Sequence, residues 1–372
     1  MRPAAKDKII IINATNIGQK LDGIGVYTLS LLRELSRLKT DINFIIFLNK
    51  NSEQYIRDIK FPENFSIKWA AHYISPDYGF KGHLLRLLFS NLLSFKYKKF
   101  LIFNTSQIEA MFFRSSQVIT IHDLIPILFN ENYKKQHYYY KYILKHALHA
   151  AKAIITDSNH TKKLIESFYG LPGTKIYVIY LGIQSIYLKE TETFNAKREN
   201  LILYVGRITR TKNITGLLKA FELIKDKIDH KLVIVGSGKE LYASELSRYV
   251  NDDRVIFKGY VPNNKLLKLY RRASLFVLPS LYEGFGLPPL EAMACGCPVV
   301  VSNVASLPEV CGDAAYYVDP YNMNSIAEGI YKVLTDKNLR DILIQKGLER
   351  VKLFSWEKSA KEVLNVFEEI LK

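Results

Sequence analysis

Cysteine is scarce in this chain of 372 residues, and the few cysteines lie close together in the second half. They are Cys295, Cys297 and Cys311, an odd number without the neighbouring ligands that a metal site would need. We therefore expect small buried thiols and no metal site, which fits a reducing cytoplasm.

Long apolar runs are absent as well. No stretch approaches the roughly 18 apolar residues that a transmembrane helix requires. Near the start, Lys6 and Lys8 are followed by only about five apolar residues, which is too short for a signal peptide and typical of a first strand. We expect a cytoplasmic protein whose length suits two domains, each with its own core.

Acidic residues are few in the first half of the chain, although the net charge of the whole is +16. Residues 1–185 hold 25 Lys+Arg and 13 Asp+Glu, a net +12, whereas residues 186–372 hold 27 and 23, a net +4. This asymmetry favours a polyanionic partner of the first half, either nucleic acid or anionic lipid.

Short apolar runs alternate with segments of helical periodicity. In the first half we predict strands over 8–12, 43–48, 118–121 and 153–156, and helices over 26–38 and 134–150. After a polar stretch near 182–198 the alternation restarts, with strands over 200–205, 231–235, 255–257, 275–278 and 298–301 and helices over 214–224 and 356–371. Such alternation predicts an α/β fold of two doubly wound, Rossmann-like parallel sheets.

A glycine-containing loop follows the first predicted strand, where such folds bind ligands. It holds Gly18, Gly23 and Gly25. It is not a P-loop, because Ile24 stands where that motif requires lysine. The later sequence Gly236-Ser237-Gly238 is similar to a nucleotide fingerprint but lacks its third glycine, so we give it little weight.

The most informative stretch is SLYEGFGLPPLEAMACGCPVVV, residues 280–301. Its two adjacent prolines predict a helix from about 287 to 294, since proline suits the first turn. Gly284 and Gly286 leave backbone N–H groups unshielded beside the positive end of that helix, which suits an anion. Glu283 and Glu291 can accept hydrogen bonds from the hydroxyls of a sugar.

The two glutamates, with seven residues between them, resemble the E-x7-E motif of glycosyltransferase family 4. Members of this family are retaining nucleotide-sugar glycosyltransferases with the GT-B fold, and the sequence that follows Glu283, GFGLPPLEAMACGCPVV, makes the resemblance specific. It implies two Rossmann-like domains facing across a cleft. The N-terminal acceptor-binding domain would cover 1–182 and the C-terminal nucleotide-sugar domain 183–355. A C-terminal helix, 356–372, would pack back on the first domain.

Two further motifs resemble the family. Gly206-Arg207 followed by Lys212-Asn213 matches its G-R-x4-K-N turn, where arginine offers phosphate a planar fork and lysine a point charge. His122-Asp123, within ITIHDLIP, follows a predicted strand, and the equivalent histidine contacts the donor sugar near the reacting carbon.

The resemblance implies roles for particular residues. Glu291 would hold the ribose hydroxyls and Glu283 the sugar hydroxyls, while Arg207 and Lys212 would stabilise the departing diphosphate. The chain has no D-x-D motif, so we expect no catalytic metal and no cofactor besides the donor. The predicted catalytic residues are His122, Arg207, Lys212 and Glu283, and the predicted donor-binding residues are Gly23, Gly25, Asp123, Gly206, Phe285, Gly286, Leu287 and Glu291.

The donor and acceptor follow only from the likeness to bacterial mannosyltransferases that build O-antigen or exopolysaccharide. GDP-mannose is the first expectation and a UDP- or dTDP-sugar the second, with a polyprenyl-linked glycan as acceptor. A sugar–phosphate epimerase or a phosphorylase on the same fold is a rival, but a glycogen-type phosphorylase would need a much longer chain and a lysine for pyridoxal.

Two stretches without any acidic residue, 78–107 and 132–156, hold lysines among apolar and aromatic side chains. This pattern is typical of an interfacial helix. It predicts peripheral contact with the inner face of the cytoplasmic membrane through residues 81–99 and 133–152. Two alternatives are that the leucines of 84–93 belong to the core, or that the protein binds nucleic acid. The latter would leave the E-x7-E and G-R-x4-K-N motifs unexplained.

Overall fold

The computed structural model describes residues 8–112, 116–188, 198–238, 246, 249–250 and 252–372. The chain forms two compact units, one of Met1–Gly182 with Ser355–Lys372 and the other of Ile183–Phe354. The polar stretch expected between the domains lies partly at 189–197, outside the described residues.

A parallel sheet of seven strands forms the first unit. In chain order the strands are β1 (Ile9–Asn13), β2 (Asn43–Asn49), β3 (Phe65–Ala70), β4 (Leu101–Asn104), β5 (Gln117–Ile121), β6 (Ala153–Thr156) and β7 (Ile176–Val178). They lie side by side in the order β3-β2-β1-β4-β5-β6-β7. Ile10, Ile11 and Ile12 of β1 have no exposed surface, as expected of a parallel strand that is covered on both faces.

The helices of the first unit depart in two places from the sequence-based prediction. The helix predicted over 134–150 contains a π-helical segment, Tyr139–Leu144, between two α-helical parts. The helix predicted over 26–38 begins earlier, at Gly23, and also ends earlier, at Leu35. The helices are α1 (Gly23–Leu35), α2 (Glu53–Ile56), α3 (Gly79–Lys96), α4 (Ile125–Leu128), α5 (Lys134–Tyr138), α6 (Lys145–Ala150) and α7 (Asn159–Tyr169).

The early start of α1 corrects the prediction of a glycine loop. Asp22 caps the helix, because its Oδ1 accepts a hydrogen bond of 2.9 Å from the N–H of Gly25. Gly23 and Gly25 therefore lie in the first helical turn. Only Gly18 belongs to the loop after β1.

A second parallel sheet, of six described strands, forms the other unit. Its strands are β8 (Glu199–Val205), β9 (Lys231–Val235), β10 (Val255–Gly259), β11 (Ala273–Leu278), β12 (Val299–Ser302) and β13 (Tyr316–Val318). They lie side by side in the order β10-β9-β8-β11-β12-β13. Its described helices are α8 (Ser185–Leu188), α9 (Ile214–Ile224), α10 (Asn263–Arg272), α11 (Leu287–Ala294), α12 (Leu307–Cys311), α13 (Met323–Thr335) and α14 (Lys337–Arg350).

The C-terminal helix α15 (Trp356–Leu371) belongs to the first unit. Its Phe367 is buried against Phe103, at 5.1 Å between ring centroids, and against Phe44, at 6.5 Å. Where the chain leaves and re-enters this unit, a Cβ at position 182 would lie 2.1 Å from the backbone nitrogen of Trp356. The two crossing segments run side by side so closely that only glycine fits at position 182.

Both units have the predicted α/β architecture, which is confirmed. In each sheet the strand order reverses beside the first strand, β1 or β8, and such folds bind ligands at the carboxyl ends of the strands there. The three cysteines are buried and free, as predicted. Within the described part of the chain, no helix is long and apolar enough to cross a bilayer.

Candidate functional site

The carboxyl ends of β8 and β11 are neighbours in the second sheet. The segment after β8 contains a 3-10 turn, Arg210–Lys212, and the segment after β11 leads to α11. A backbone hydrogen bond of 2.8 Å, from the N–H of Leu281 to the carbonyl of Thr211, holds the two loops together. The topology thus brings the predicted basic turn beside the first glutamate of the E-x7-E motif.

Lys212 and Glu283 form an ion pair with 2.6 Å between Nζ and Oε2. Ser280 donates a hydrogen bond of 2.8 Å to the other carboxylate oxygen, Oε1. Glu283 is buried, and the Lys212 side chain is 18% exposed. A mostly buried cation and a buried carboxylate therefore lie in direct contact. Arg207, five residues before Lys212, is exposed and forms no ion pair with any described residue.

Ser306, just before α12, fixes the backbone of the glutamate loop. Its Oγ lies 2.9 Å from the carbonyl oxygen of Glu283 and 2.8 Å from that of Phe285, so the single hydroxyl bridges both. The Phe285 ring is buried edge-on against Phe354, at 5.7 Å. No role for Ser306 could be predicted from the sequence, because 23 positions separate it from Glu283.

Helix α11 has the predicted bounds and begins after Gly286, whose φ of +110° favours glycine. Its first three residues are Leu287 and two prolines. Because proline has no N–H, only Leu287 among the three can donate to an anion. The helix end thus offers fewer donors than a helix without prolines, which makes Arg207 and Lys212 the larger source of positive charge.

The Gly236-Ser237-Gly238 turn after β9 packs against the basic loop. A Cβ at Gly236, where φ is +142°, would lie 1.8 Å from the carbonyl oxygen of Gly206, and one at Gly238 would lie 2.2 Å from that of Ile208. Both glycines are required by this close approach. The turn therefore supports the loop of Arg207, which the incomplete fingerprint did not indicate.

Glu291, on α11, accepts a hydrogen bond of 2.9 Å from the hydroxyl of Tyr270. Burial raises the pKa of Glu291 from an ordinary 4.5 to about 7, although the hydrogen bond from Tyr270 works in the opposite direction. No hydrogen bond or ion pair among the described residues joins it to Glu283. The two carboxylates thus have separate partners, Tyr270 for Glu291 and Lys212 for Glu283.

In the first unit, His122 follows β5 and is buried. Its Nδ1 lies 2.7 Å from Oδ2 of Asp157, and its Nε2 donates to the carbonyl of Thr105 at 3.0 Å. Burial alone would lower the pKa of His122, but the carboxylate of Asp157 outweighs this effect and raises it. Both ring nitrogens are engaged within this unit, so contact with a sugar requires one of these bonds to break.

The other predicted residues of the first unit have local roles. Asp123 accepts a hydrogen bond of 2.9 Å from the N–H of Ile125 and begins the turn into α4. Around Gly23 a Cβ would meet no atom within 4 Å, so packing does not require glycine there. Ser158 caps α7, because its side chain accepts a hydrogen bond from the N–H of Thr161. Among the described residues no group of three or more His, Cys, Asp or Glu could hold a metal.

Comparison with known proteins identifies the family. The model for Glycosyltransferase Family 4 matches residues 21–185, and the model for glycosyl transferases group 1 matches 189–350. The O-antigen chain mannosyltransferase B of Escherichia coli is 34% identical over 264 residues, which cover 67% of this chain and 69% of the relative. The chain belongs to glycosyltransferase family 4. The predicted family is thereby confirmed.

Solved structures support the same fold for this glycosyltransferase. Sucrose-phosphate synthase from Thermosynechococcus elongatus has a TM-score of 0.77 at 21% identity, with 98% of this chain and 99% of that one covered. Anabaena HepE in complex with UDP and glucose has a TM-score of 0.71 at 16% identity, with 97% and 99% covered. The GT-B prediction is confirmed.

The structure of this family 4 enzyme brings only some of the predicted residues together. Lys212 and Glu283 touch, and Gly206, Phe285, Gly286 and Leu287 lie in the two loops and the helix start around them. Glu291 lies further along α11. His122, Asp123, Gly23 and Gly25 belong to the other unit. All twelve roles stay predictions.

Replacing Ser306 by alanine should lower turnover by roughly 10-fold, because two carbonyls lose the donor that positions Glu283. Ser302→Ala is the matched control. Its Oγ is buried at the end of the preceding strand and has no hydrogen-bond partner among the described residues. Steady-state kinetics with a melting curve for each variant separate positioning from stability. Equal turnover in the two variants would remove Ser306 from the positioning of this loop.

Proposed function

We propose that the enzyme transfers mannose from GDP-mannose, with retention at the anomeric carbon, to a hydroxyl of a polyprenyl-linked glycan in cell-surface polysaccharide synthesis. The Lys212–Glu283 contact carries this proposal. In a nucleotide sugar a single oxygen separates the β-phosphorus from the anomeric carbon, so the groups that bind diphosphate and sugar must be close neighbours. A lysine 2.6 Å from a carboxylate meets that requirement.

Mannose is supported by the E. coli relative, an O-antigen chain mannosyltransferase. A UDP-sugar is the second candidate donor, because HepE has been solved with UDP and glucose. We propose that no metal takes part, since Arg207 and Lys212 supply cations where the leaving diphosphate develops charge.

A donor screen in the presence of EDTA tests this proposal. GDP-mannose, UDP-glucose and dTDP-glucose are compared by nucleotide release and by the melting temperature with each nucleotide. A nucleotide at 100 times its Kd stabilises the fold by about 2.7 kcal/mol. Among the nucleotides tested, only GDP should raise the melting temperature. Among the three donors, only GDP-mannose should release its nucleotide. Stabilisation by UDP alone would favour the second donor, and stabilisation by none would contradict a nucleotide-sugar site.

We expect GDP affinity to depend on the ionisation of Glu291, which we assign to the ribose hydroxyls. A hydroxyl donates best to an ionised carboxylate, and the pKa of Glu291 is raised to about 7. The competent fraction therefore grows as pH rises, and GDP affinity should increase roughly 10-fold between about pH 6 and pH 8. Glu291→Gln should lose this dependence and bind GDP roughly 10-fold more weakly.

The control for this assignment is 2′-deoxy-GDP, which offers one ribose hydroxyl fewer. Its affinity should fall much less in Glu291→Gln. Because the terminal phosphate itself titrates at a pKa of about 6, the pH profile is compared between parent and variant by calorimetry. Equal losses for both nucleotides would place Glu291 away from the ribose.

A polyprenyl-linked acceptor is anchored in a bilayer, so the enzyme must reach it at a membrane surface. We therefore propose that the enzyme is cytoplasmic and works as a peripheral protein at the inner face of the cytoplasmic membrane. We propose no nucleic-acid partner, since the basic and carboxylate groups of the second unit suit a nucleotide sugar.

A further inference from the structure

Helix α3 of the first unit is apolar on two sides. One side belongs to the core, where Leu93 is buried and Leu87 and Phe89 pack against core clusters. The other side is exposed to solvent. Its five large side chains follow each other at helical spacing and are 47–69% exposed: Phe80, Leu84, Leu88, Leu92 and Phe95.

Buried polar contacts hold α3 in this orientation. Arg86 forms an ion pair of 2.9 Å with Glu109, and both side chains are almost fully buried. On the same side, Ser90 accepts a hydrogen bond of 2.8 Å from Asn13 of β1. A rotation of α3 that buried the exposed side would leave Arg86 and Glu109 without each other. The exposed apolar row is thus fixed by the fold. The alternative that the leucines of 84–93 belong to the core is wrong for Leu84, Leu88 and Leu92, which are half of the six.

Positive charge surrounds the exposed row. Lys81 lies at its start, and Lys96, Lys98 and Lys99 lie at its end. All four are exposed, and none forms an ion pair with a described residue. The stretch 78–107 contains no Asp or Glu. Contiguous exposed apolar surface with a polar rim is typical of an interaction site, and the charged side chains within this stretch are all basic.

The second predicted stretch adjoins the first, but fewer of its residues are accessible than expected. Lys135 of α5 lies over the Phe80 ring, with 4.9 Å between Nζ and the ring centroid. Tyr138 and Tyr142 are exposed and stack at 6.1 Å. Tyr139 and Tyr140, by contrast, are buried in a core cluster, so the prediction that they face a membrane is wrong.

We propose that this surface rests on an anionic lipid bilayer. We call it the α3 face and define it by Phe80, Leu84, Leu88, Leu92 and Phe95 with Lys81, Lys96, Lys98, Lys99 and Lys135. The helix lies parallel to the bilayer, its apolar row enters the acyl boundary, and the lysines contact the headgroups. Binding there would bring the enzyme to its lipid-linked acceptor. This purpose rests on the proposed function, whereas the membrane binding itself does not.

Charge and shape argue against two other occupants. A second copy of this chain would bring the lysines of one α3 face against those of the other, with no acidic residue in the stretch to offset the repulsion. Nucleic acid would match the charge, but three of the five apolar side chains of the row are leucines, which offer no ring on which a base could stack. An anionic bilayer matches both the lysines and the apolar row.

The test is sedimentation of the full chain with liposomes of phosphatidylglycerol or of phosphatidylcholine. Binding to the anionic vesicles should be lost between about 0.1 M and 1 M salt, as the Debye length falls from about 10 Å to about 3 Å. Two variants probe the α3 face separately. Lys96→Glu/Lys98→Glu/Lys99→Glu should weaken binding by roughly 100-fold or more, and Leu88→Ser/Leu92→Ser by roughly 10-fold or more per leucine.

Each variant has a matched control in the second unit. Lys258→Glu/Lys265→Glu/Lys268→Glu makes the same change in net charge at exposed lysines. Ile342→Ser/Leu353→Ser removes apolar side chains that are 51% and 55% exposed. Both controls should bind vesicles like the parent. Because all substituted side chains are exposed, melting temperatures should change little.

Equal binding to neutral and anionic vesicles, or no binding to either, would overturn the proposal. A loss of vesicle binding in the controls as large as that in the α3 variants would overturn it as well. A dimer in solution that the leucine substitutions dissociate, without an effect on vesicle binding, would assign the face to a second copy. Nucleotide release from the donor is measured in the same variants. If that activity is absent while vesicle binding behaves as described, the proposed function fails and the membrane surface stands.

Discussion

Replacing Arg207 by alanine should lower turnover roughly 100-fold, the scale for losing one donor to a developing charge. Arg207 follows β8, where its guanidinium fork can reach the oxygens of a departing diphosphate. Its side chain is exposed and forms no ion pair with a described residue, so the folded state loses nothing with it. We expect an unchanged melting temperature and a fall in kcat.

Two further variants sharpen this experiment. Arg207→Lys keeps the charge without the planar fork, so its turnover should lie between those of the parent and of Arg207→Ala. Lys219→Ala removes an exposed cation from the next helix, α9, and should turn over like the parent. If the turnover of Arg207→Ala stays within a few-fold of that of the parent, or if Lys219→Ala loses as much turnover as Arg207→Ala, the arginine does not stabilise the leaving group.

Lys212→Ala should also cost roughly 100-fold in turnover, but here stability must change too. Without Lys212 the buried carboxylate of Glu283 keeps Ser280 as its side-chain partner among the described residues. An unpaired buried charge destabilises the fold, here by about 1–3 kcal/mol. A lower activity of Lys212→Ala by itself would therefore not separate catalysis from folding.

The double variant Lys212→Ala/Glu283→Gln separates them. Glutamine keeps the shape of Glu283 and removes its charge, so the double variant should recover most of the lost melting temperature. Turnover should stay low, because the cation for the diphosphate is still missing. If the double variant recovers stability and also reaches the turnover of Glu283→Gln alone, then Lys212 only neutralises the charge of Glu283.

Strong local signals explain why parts of the fold were predictable. The prolines at 288 and 289 set the start of α11, and the apolar run 231–235 set β9, so both have the predicted bounds. The G-R-x4-K-N and E-x7-E motifs predicted a shared site, and parallel pairing of β8 with β11 brings Lys212 to Glu283.

Other features depend on contacts between distant parts of the chain. Strand β13 has three residues, too few for a period to show. The partner of His122 is Asp157, 35 positions away, and Ser306 reaches back to Glu283 across another strand. Which tyrosines of 138–142 are buried depends on the π-helical turn there, since it changes the side that each residue faces.

A crystal structure of the complex with GDP would show whether the diphosphate binds beside Arg207 and Lys212. We expect diphosphate oxygens within about 3 Å of the Arg207 guanidinium and of the Lys212 Nζ, with the ribose hydroxyls on Glu291. GDP bound at any other place, or bound here with its phosphates turned away from Arg207 and Lys212, would contradict this expectation.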